Sequence, residues 1–325
     1  MLPARYRSSP LAESNGRPAL IEKQIQILET TLRDGSYAID FQFSAGDTTV
    51  ICRELEQAGF DLIEVGHGIG LGASEAGLGQ AAESDDAYCK AASSALKQSR
   101  FGMFCIPGIA RLSHVDMAAD HGMGFIRIGT NVTEVESSRP FVERARHHGM
   151  FVYANFMKSY AVDPQSVGQR ARESQEYGAQ TIYIVDSAGG MLPDELTTYY
   201  EAVRSACSLP VAFHCHNNLG LAVSNSLHMA NLGCSTIDSS LQGLGRSSGN
   251  AQTELLAAAM MRSGYQLRMD LIRVLDIGEK YVRRLLTTQG LSSLLYRQLN
   301  AARACCSEGK EEKRTKSSRH PMVRD

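Results

Sequence analysis

From about residue 25 the chain alternates short apolar runs rich in β-formers with longer stretches whose apolar residues recur every three to four positions, the pattern of repeated β-α units. The runs IQILETTL (25–32), DLIEVG (61–66), FGMFCIPG (101–108), FIRIGT (125–130), FVYANFM (151–157), TIYIVDSA (181–188), VAFHCHNN (211–218) and STIDSSLQG (235–243) predict eight strands. The intervening stretches predict helices over 47–58, 85–97, 113–121, 137–148, 164–177, 193–206, 220–231 and 250–263. Punctuation agrees: Asp47, Asp163 with Pro164, and Pro193 suit helix starts, and Gly59, Gly122, Gly149, Gly178 and Gly233 suit helix ends. Eight such units over about 240 residues match a closed α/β fold, the (β/α)8 TIM barrel, better than an open doubly wound sheet with fewer strands. The barrel is expected over 21–268, and 269–304 predicts one or two extra C-terminal helices that cap it or form a partner surface. The Ser-, Pro- and Arg-rich residues 1–20 read as a loose segment, and the charged residues 305–325 as a disordered tail.

A hydrophobic content of 43% over 325 residues supplies one large core without a second domain. The formal charge of -2, with acids and bases interspersed, leaves no basic stripe for nucleic acid. No apolar run reaches the roughly 18 to 20 residues that span a bilayer, and the N-terminus lacks the apolar stretch of a secretory signal, so no membrane association and a cytoplasmic location are expected. Eight cysteines are dispersed, with only Cys305 and Cys306 adjacent and no CxxC pair, which reads as reduced core residues rather than a disulfide framework or zinc cluster.

Barrel enzymes place their chemistry at the C-terminal ends of strands. There the sequence offers Arg33-Asp34-Gly35 after the first strand and His214-Cys215-His216-Asn217-Asn218 in and beyond the seventh. Side chains alternate across a strand, so His214 and His216 point one way and Cys215 the other. Two imidazoles and a carboxylate make a set for a divalent transition ion: manganese, iron, cobalt or zinc, and magnesium less readily. The loop GLGRSSGN (243–250) either presents N–H groups to an anion or is an ordinary turn, and Asn250 either lends a carbonyl oxygen to the metal or caps a helix.

TLRDG, HCHNN and GLGRSSGN, in this order, resemble the metal-dependent HMG-CoA lyase-like (DRE-TIM) superfamily across about residues 25–265. Within it the likeness is to 4-hydroxy-2-oxovalerate aldolases, through RDGS, IEVGHGIGLGAS (63–74), IPGI (106–109), YIVDSAGGM (183–191) and HCHNNLGLAVSNS (214–226), whereas the superfamily's synthases read RDGEQ. The resemblance implies Asp34, His214 and His216 as ligands of a divalent metal, chiefly Mn2+ with Mg2+, Co2+ or Zn2+ as alternatives, and Asn250 beside them. It implies Arg33 as the enolate-stabilising residue, Ser187 as a substrate contact, and His67 as a substrate contact or substitute acid/base. The reaction implied is class II aldol cleavage or formation of a 4-hydroxy-2-oxo acid from a 2-oxo acid such as pyruvate and an aldehyde.

Two positions depart from the aldolases. They carry a histidine after RDGS as acid/base, where this chain has Tyr37, so the phenol or a bound water is expected to handle the hydroxyl proton. Their longer C-terminal region contacts a partner aldehyde dehydrogenase, whereas LLTTQGLSSLLYRQLN here is short and without an obvious match, so no such partner is expected. A homodimer is the default assembly. The other readings are a Claisen-type synthase or lyase acting on an acyl-CoA, and a non-catalytic barrel.

Overall fold

Eight parallel strands close on themselves in chain order, each paired to its sequence neighbour and β8 to β1, in a computed structural model that describes residues 24–285. The strands are β1 (Gln26–Glu29), β2 (Leu62–Glu64), β3 (Arg100–Cys105), β4 (Phe125–Asn131), β5 (Phe151–Met157), β6 (Thr181–Asp186), β7 (Val211–Cys215) and β8 (Thr236–Ser239). The helices are α1 (Ala45–Gln57), α2 (Asp85–Ala95), α3 (Leu112–Asp120), α4 (Arg139–His147), α5 (Pro164–Tyr177), α6 (Pro193–Ala206), α7 (Ala222–Leu232) and α8 (Thr253–Arg262). This is the (β/α)8 barrel that the alternation of patterns predicts.

Local chemistry accounts for the helix limits. Ser44, not Asp47, caps α1, and Asp47 completes a capping box by accepting from the Ser44 N–H at 2.9 Å. Asp163 caps α5 with Pro164 in its first turn, while Gly178 and Gly233 end α5 and α7 at φ of 103° and 111°, where a side chain is strained. Most strands stop short of their apolar runs: β1, β7 and β8 end at Glu29, Cys215 and Ser239, and the residues beyond turn into the barrel mouth.

Strand parity sorts the side chains into two layers. Ile63, Ile126, Val152, Ile182, Phe213 and Ile237 point outward under the helices, and Cys215 joins them. Leu28, Leu62, Phe125, Tyr153, Tyr183 and Ala212 fill the interior. Six cysteines, Cys52, Cys89, Cys105, Cys207, Cys215 and Cys234, are buried and free of disulfides. A further helix, α9 (Leu271–Ile277), continues as a π-helical turn over Gly278–Arg283 and ties back to α1 through Arg273 to Glu54 at 2.9 Å. The remaining expectations for 1–20, for 286–304 and for 305–325, with Cys305 and Cys306, lie outside the described residues. No described helix is long and apolar enough to cross a membrane.

Candidate metal centre and active site

Beyond β1 the chain turns into a short 3-10 helix (Asp34–Ile39), pinned by the Asp34 and Gly35 N–H groups donating to the Thr30 carbonyl. This turn aims Asp34 across the mouth. On β7 the inward parity of Ala212 carries on to His214 and, one residue past the strand, to His216. One ligand atom from each of Asp34, His214 and His216 lies within 4.8 Å of the others, and all three residues are buried.

The donor chemistry fits a divalent cation. His214 Nδ1 donates to Asp238 at 2.8 Å, and its Nε2 faces Asp34 Oδ2 at 3.3 Å. A cation between these two atoms would be coordinated by both. His216 Nδ1 and Asn250 Oδ1 are buried without protein partners, and their residues pair through the backbone. Burial, the largest effect, pushes the His216 imidazole down to about 3, so it stays neutral as a ligand must. Burial opposes charge on Asp34, yet the Arg33 guanidinium beside it helps hold its carboxyl well below the usual range. Asn250 does not cap α8, since Gln252 holds that position, and its amide nitrogen donates to the Leu244 carbonyl at 3.3 Å.

Beneath the triad runs a chain of charges. Arg33 Nε donates to Glu64 at 2.7 Å, Arg127 joins Glu64 at 2.8 Å and also pairs with Asp238, and Tyr183 donates to Asp238 at 2.7 Å. Burial disfavours a charged Asp238, but Arg127 and His214 lower its pKa and keep it ionised. Asp238 thereby fixes the tautomer and angle of His214. Asp238→Asn is expected to weaken Mn2+ binding about 10- to 100-fold, measured by titration of the metal into the variant. It also strands Arg127 beside one carboxylate, so a lower melting temperature accompanies the loss.

A cavity of about 90 Å3 opens above these groups, lined by Arg33, Asp34, Tyr37, Ser187, His214, His216 and Arg246 among others. Arg33 spends Nε on Glu64 and shares Nη1 between Asp34 at 3.4 Å and the Gly68 carbonyl, so among the described residues Nη2 is free for a ligand. Its guanidinium also stacks 4.8 Å above the Phe104 ring. Burial and the neighbouring Asp34 raise the Tyr37 phenol above its ordinary value. Ser187 Oγ accepts from the Lys158 N–H at 3.0 Å at the cavity edge.

His67, expected as a substrate contact or acid/base, has both ring nitrogens hydrogen-bonded within the protein. Its Nε2 donates to the Gly79 carbonyl at 3.1 Å, its Nδ1 accepts from the Ile69 N–H at 3.1 Å, and its ring stacks on Phe41. Both nitrogens serve the loop after β2, and the residue does not line the cavity. The loop 243–250 likewise closes on itself: Gly249 donates to the Arg246 carbonyl, Asn250 to that of Gly243, and Ser248 to Asn218 Oδ1. These bonds make it a turn that holds Asn250. Sequence reasoning missed Glu64, Arg127, Asp238 and Arg246. The signal for the first three is a charged residue at an inward position of an apolar run, as in LIEVG, FIRIG and TIDSS.

Comparison with known proteins agrees with this architecture. The chain is 40% identical over 260 residues to a 4-hydroxy-2-oxovalerate aldolase of Carboxydothermus hydrogenoformans, covering 80% of this chain and 77% of that protein. It is also 40% identical over 250 residues to an oxaloacetate decarboxylase of Mycobacterium tuberculosis, covering 77% and 74%. In fold it is similar to the Bacillus subtilis HMG-CoA lyase, with a TM-score of 0.71 at 18% identity over 81% of this chain and 94% of that one. The HMGL-like family model matches residues 24–280, and with relatives at this identity over most of its length the chain belongs to the HMGL-like family.

Proposed function

We propose that this protein is a divalent-metal-dependent carbon-carbon lyase, a class II aldolase that cleaves or forms a 4-hydroxy-2-oxo acid such as 4-hydroxy-2-oxovalerate. The observation that carries the reading is the buried Asp34, His214 and His216 triad with Arg33 at its side, in a chain 40% identical to an aldolase of that name. Asp34, His214 and His216, with Asn250 beside them, would hold the ion, and a borderline-to-hard donor set of this kind suits Mn2+. When bound, the ion supplies a Lewis acid that polarises the keto group of a 2-oxo acid.

The residues of the chain do the rest. Arg33 directs its free donor at the keto oxygen, where negative charge grows as the C3–C4 bond breaks and the pyruvate enolate forms. Glu64 and Phe104 keep its guanidinium from turning away. In cleavage the hydroxyl proton must leave, and in synthesis it must return. Tyr37, held protonated by its raised pKa, suits the return. Tyr37→Phe is expected to lower aldol addition about 100-fold or more, followed as consumption of pyruvate and acetaldehyde with Mn2+. Unchanged turnover rules the phenol out and leaves the proton to water.

A second reading draws on one observation. Among the described residues lining the cavity, every titratable group is a metal ligand, an arginine or Tyr37. No general base is present for a hydroxyl. Decarboxylation of a 2-oxo acid bearing a C4 carboxylate breaks C3–C4 with loss of CO2 and gives the same enolate without any base, and the Mycobacterium tuberculosis relative carries the name of such an enzyme. Side-by-side turnover of oxaloacetate and 4-hydroxy-2-oxovalerate by the Mn2+-loaded protein separates the two: the aldolase reading requires aldehyde release at least as fast as CO2 release.

A further inference from the structure

Resting on the 2-oxo acid reading above, we infer that Arg246 receives a second carboxylate, so that the preferred substrate is a 4-hydroxy-2-oxo diacid rather than an acid ending in a methyl group. Arg246 leaves the turn after β8 and reaches over the cavity, where its Nη2 donates to the Ser187 carbonyl at 3.2 Å. That contact bridges the ends of β6 and β8 and holds the guanidinium at the cavity that Arg33 also lines. Its positive charge reaches Asp34, His216 and Tyr37. Among the described residues, however, no carboxylate forms an ion pair with it.

Charge balance shows why this matters. Inside the barrel Arg33 and Arg127 face three carboxylates, Glu64, Asp34 and Asp238. That leaves one negative charge in excess. A divalent ion converts the excess to one positive charge, which the carboxylate of a single 2-oxo acid cancels. Arg246, exposed at the rim, then adds a positive charge that no carboxylate among the described residues pairs with directly. A second carboxylate on the substrate does, and a guanidinium suits it because its planar fork offers paired donors.

The placement also favours aldol cleavage over decarboxylation. In cleavage the C3–C4 bond breaks, the C4 hydroxyl becomes an aldehyde, its proton is transferred overall to C3, and a carboxylate beyond C4 departs intact on the aldehyde. An ion pair to that carboxylate holds equally well before and during the step. A carboxylate leaving as CO2 loses its charge in the transition state, so an ion pair there raises the barrier.

The test is binding calorimetry on the Mn2+-loaded protein with 2-oxoglutarate and 2-oxopentanoate, two five-carbon 2-oxo acids that differ only in a terminal carboxylate or methyl. The wild type is expected to bind 2-oxoglutarate about tenfold more tightly, the scale of one charge-assisted contact. In Arg246→Gln the ratio falls towards one, and in Arg246→Lys most of it remains. Equal affinities in the wild type, no measurable binding of either acid, or a preference that survives Arg246→Gln overturns the assignment. Deuterium exchange at C3 of pyruvate, run on the same samples, tells the two failures apart: exchange without a diacid preference sinks only the role of Arg246, and no exchange sinks the enolate reading as well.

Discussion

His214→Ala is expected to abolish high-affinity Mn2+ binding and to lower turnover of any 2-oxo acid substrate by about 1000-fold or more. A Lewis acid contributes several kcal/mol to the stabilisation of developing charge, and each 1.4 kcal/mol is roughly a factor of ten in rate. His214 supplies one of the three donors that approach within 4.8 Å, and its removal leaves a carboxylate and one imidazole. The fold has reason to survive the change, because Asp238 keeps Arg127 and Tyr183 as partners. Metal titration and thermal melting of the variant check both parts. Retained metal affinity in a folded variant contradicts the assignment.

Arg33→Lys is expected to cut kcat by about 100- to 1000-fold while KM moves little, the range found when one oxyanion donor is removed. Arg33 uses different nitrogens for different tasks: Nε for Glu64, Nη1 for Asp34 and Gly68, and Nη2 towards the cavity. A lysine has one nitrogen and cannot serve Glu64 and the substrate at once. Its charge nevertheless stays beside Glu64 and Asp34, so metal affinity is expected to hold. Steady-state kinetics with parallel metal titration measure the split, and a rise in KM alone shows that Arg33 merely binds the ground state.

The parts of this molecule that follow from local pattern were legible in its sequence. The period of the apolar residues gave the order of strands and helices, and strand parity put His214 and His216 on the inner face with Cys215 behind them. The strand ends were not legible, because a strand continues only while a neighbour of matching register is present. TLRDG and VAFHCHNN therefore look extended where the chain in fact turns into the mouth. The network of Glu64, Arg127 and Asp238 joins strands far apart in sequence, and only closure of the barrel shows that the three meet. His67 lies in a promising motif, yet the hydrogen bonds that occupy it come from Ile69 and from Gly79, twelve residues on. Arg246 passed as part of a glycine-rich turn, since the carbonyl that holds it belongs to a different β-α unit.

The central claim is that Asp34, His214 and His216 hold a metal that, with Arg33, makes C3 of a 2-oxo acid acidic. Incubation with Mn2+ and pyruvate in heavy water tests it without assuming any aldehyde, by following the C3 proton signal by NMR after removal of the metal with a chelator. The expected result is loss of that signal that requires both metal and His214, with His214→Ala and metal-free protein at the background rate. Retention of the full signal by protein shown to carry its metal contradicts it.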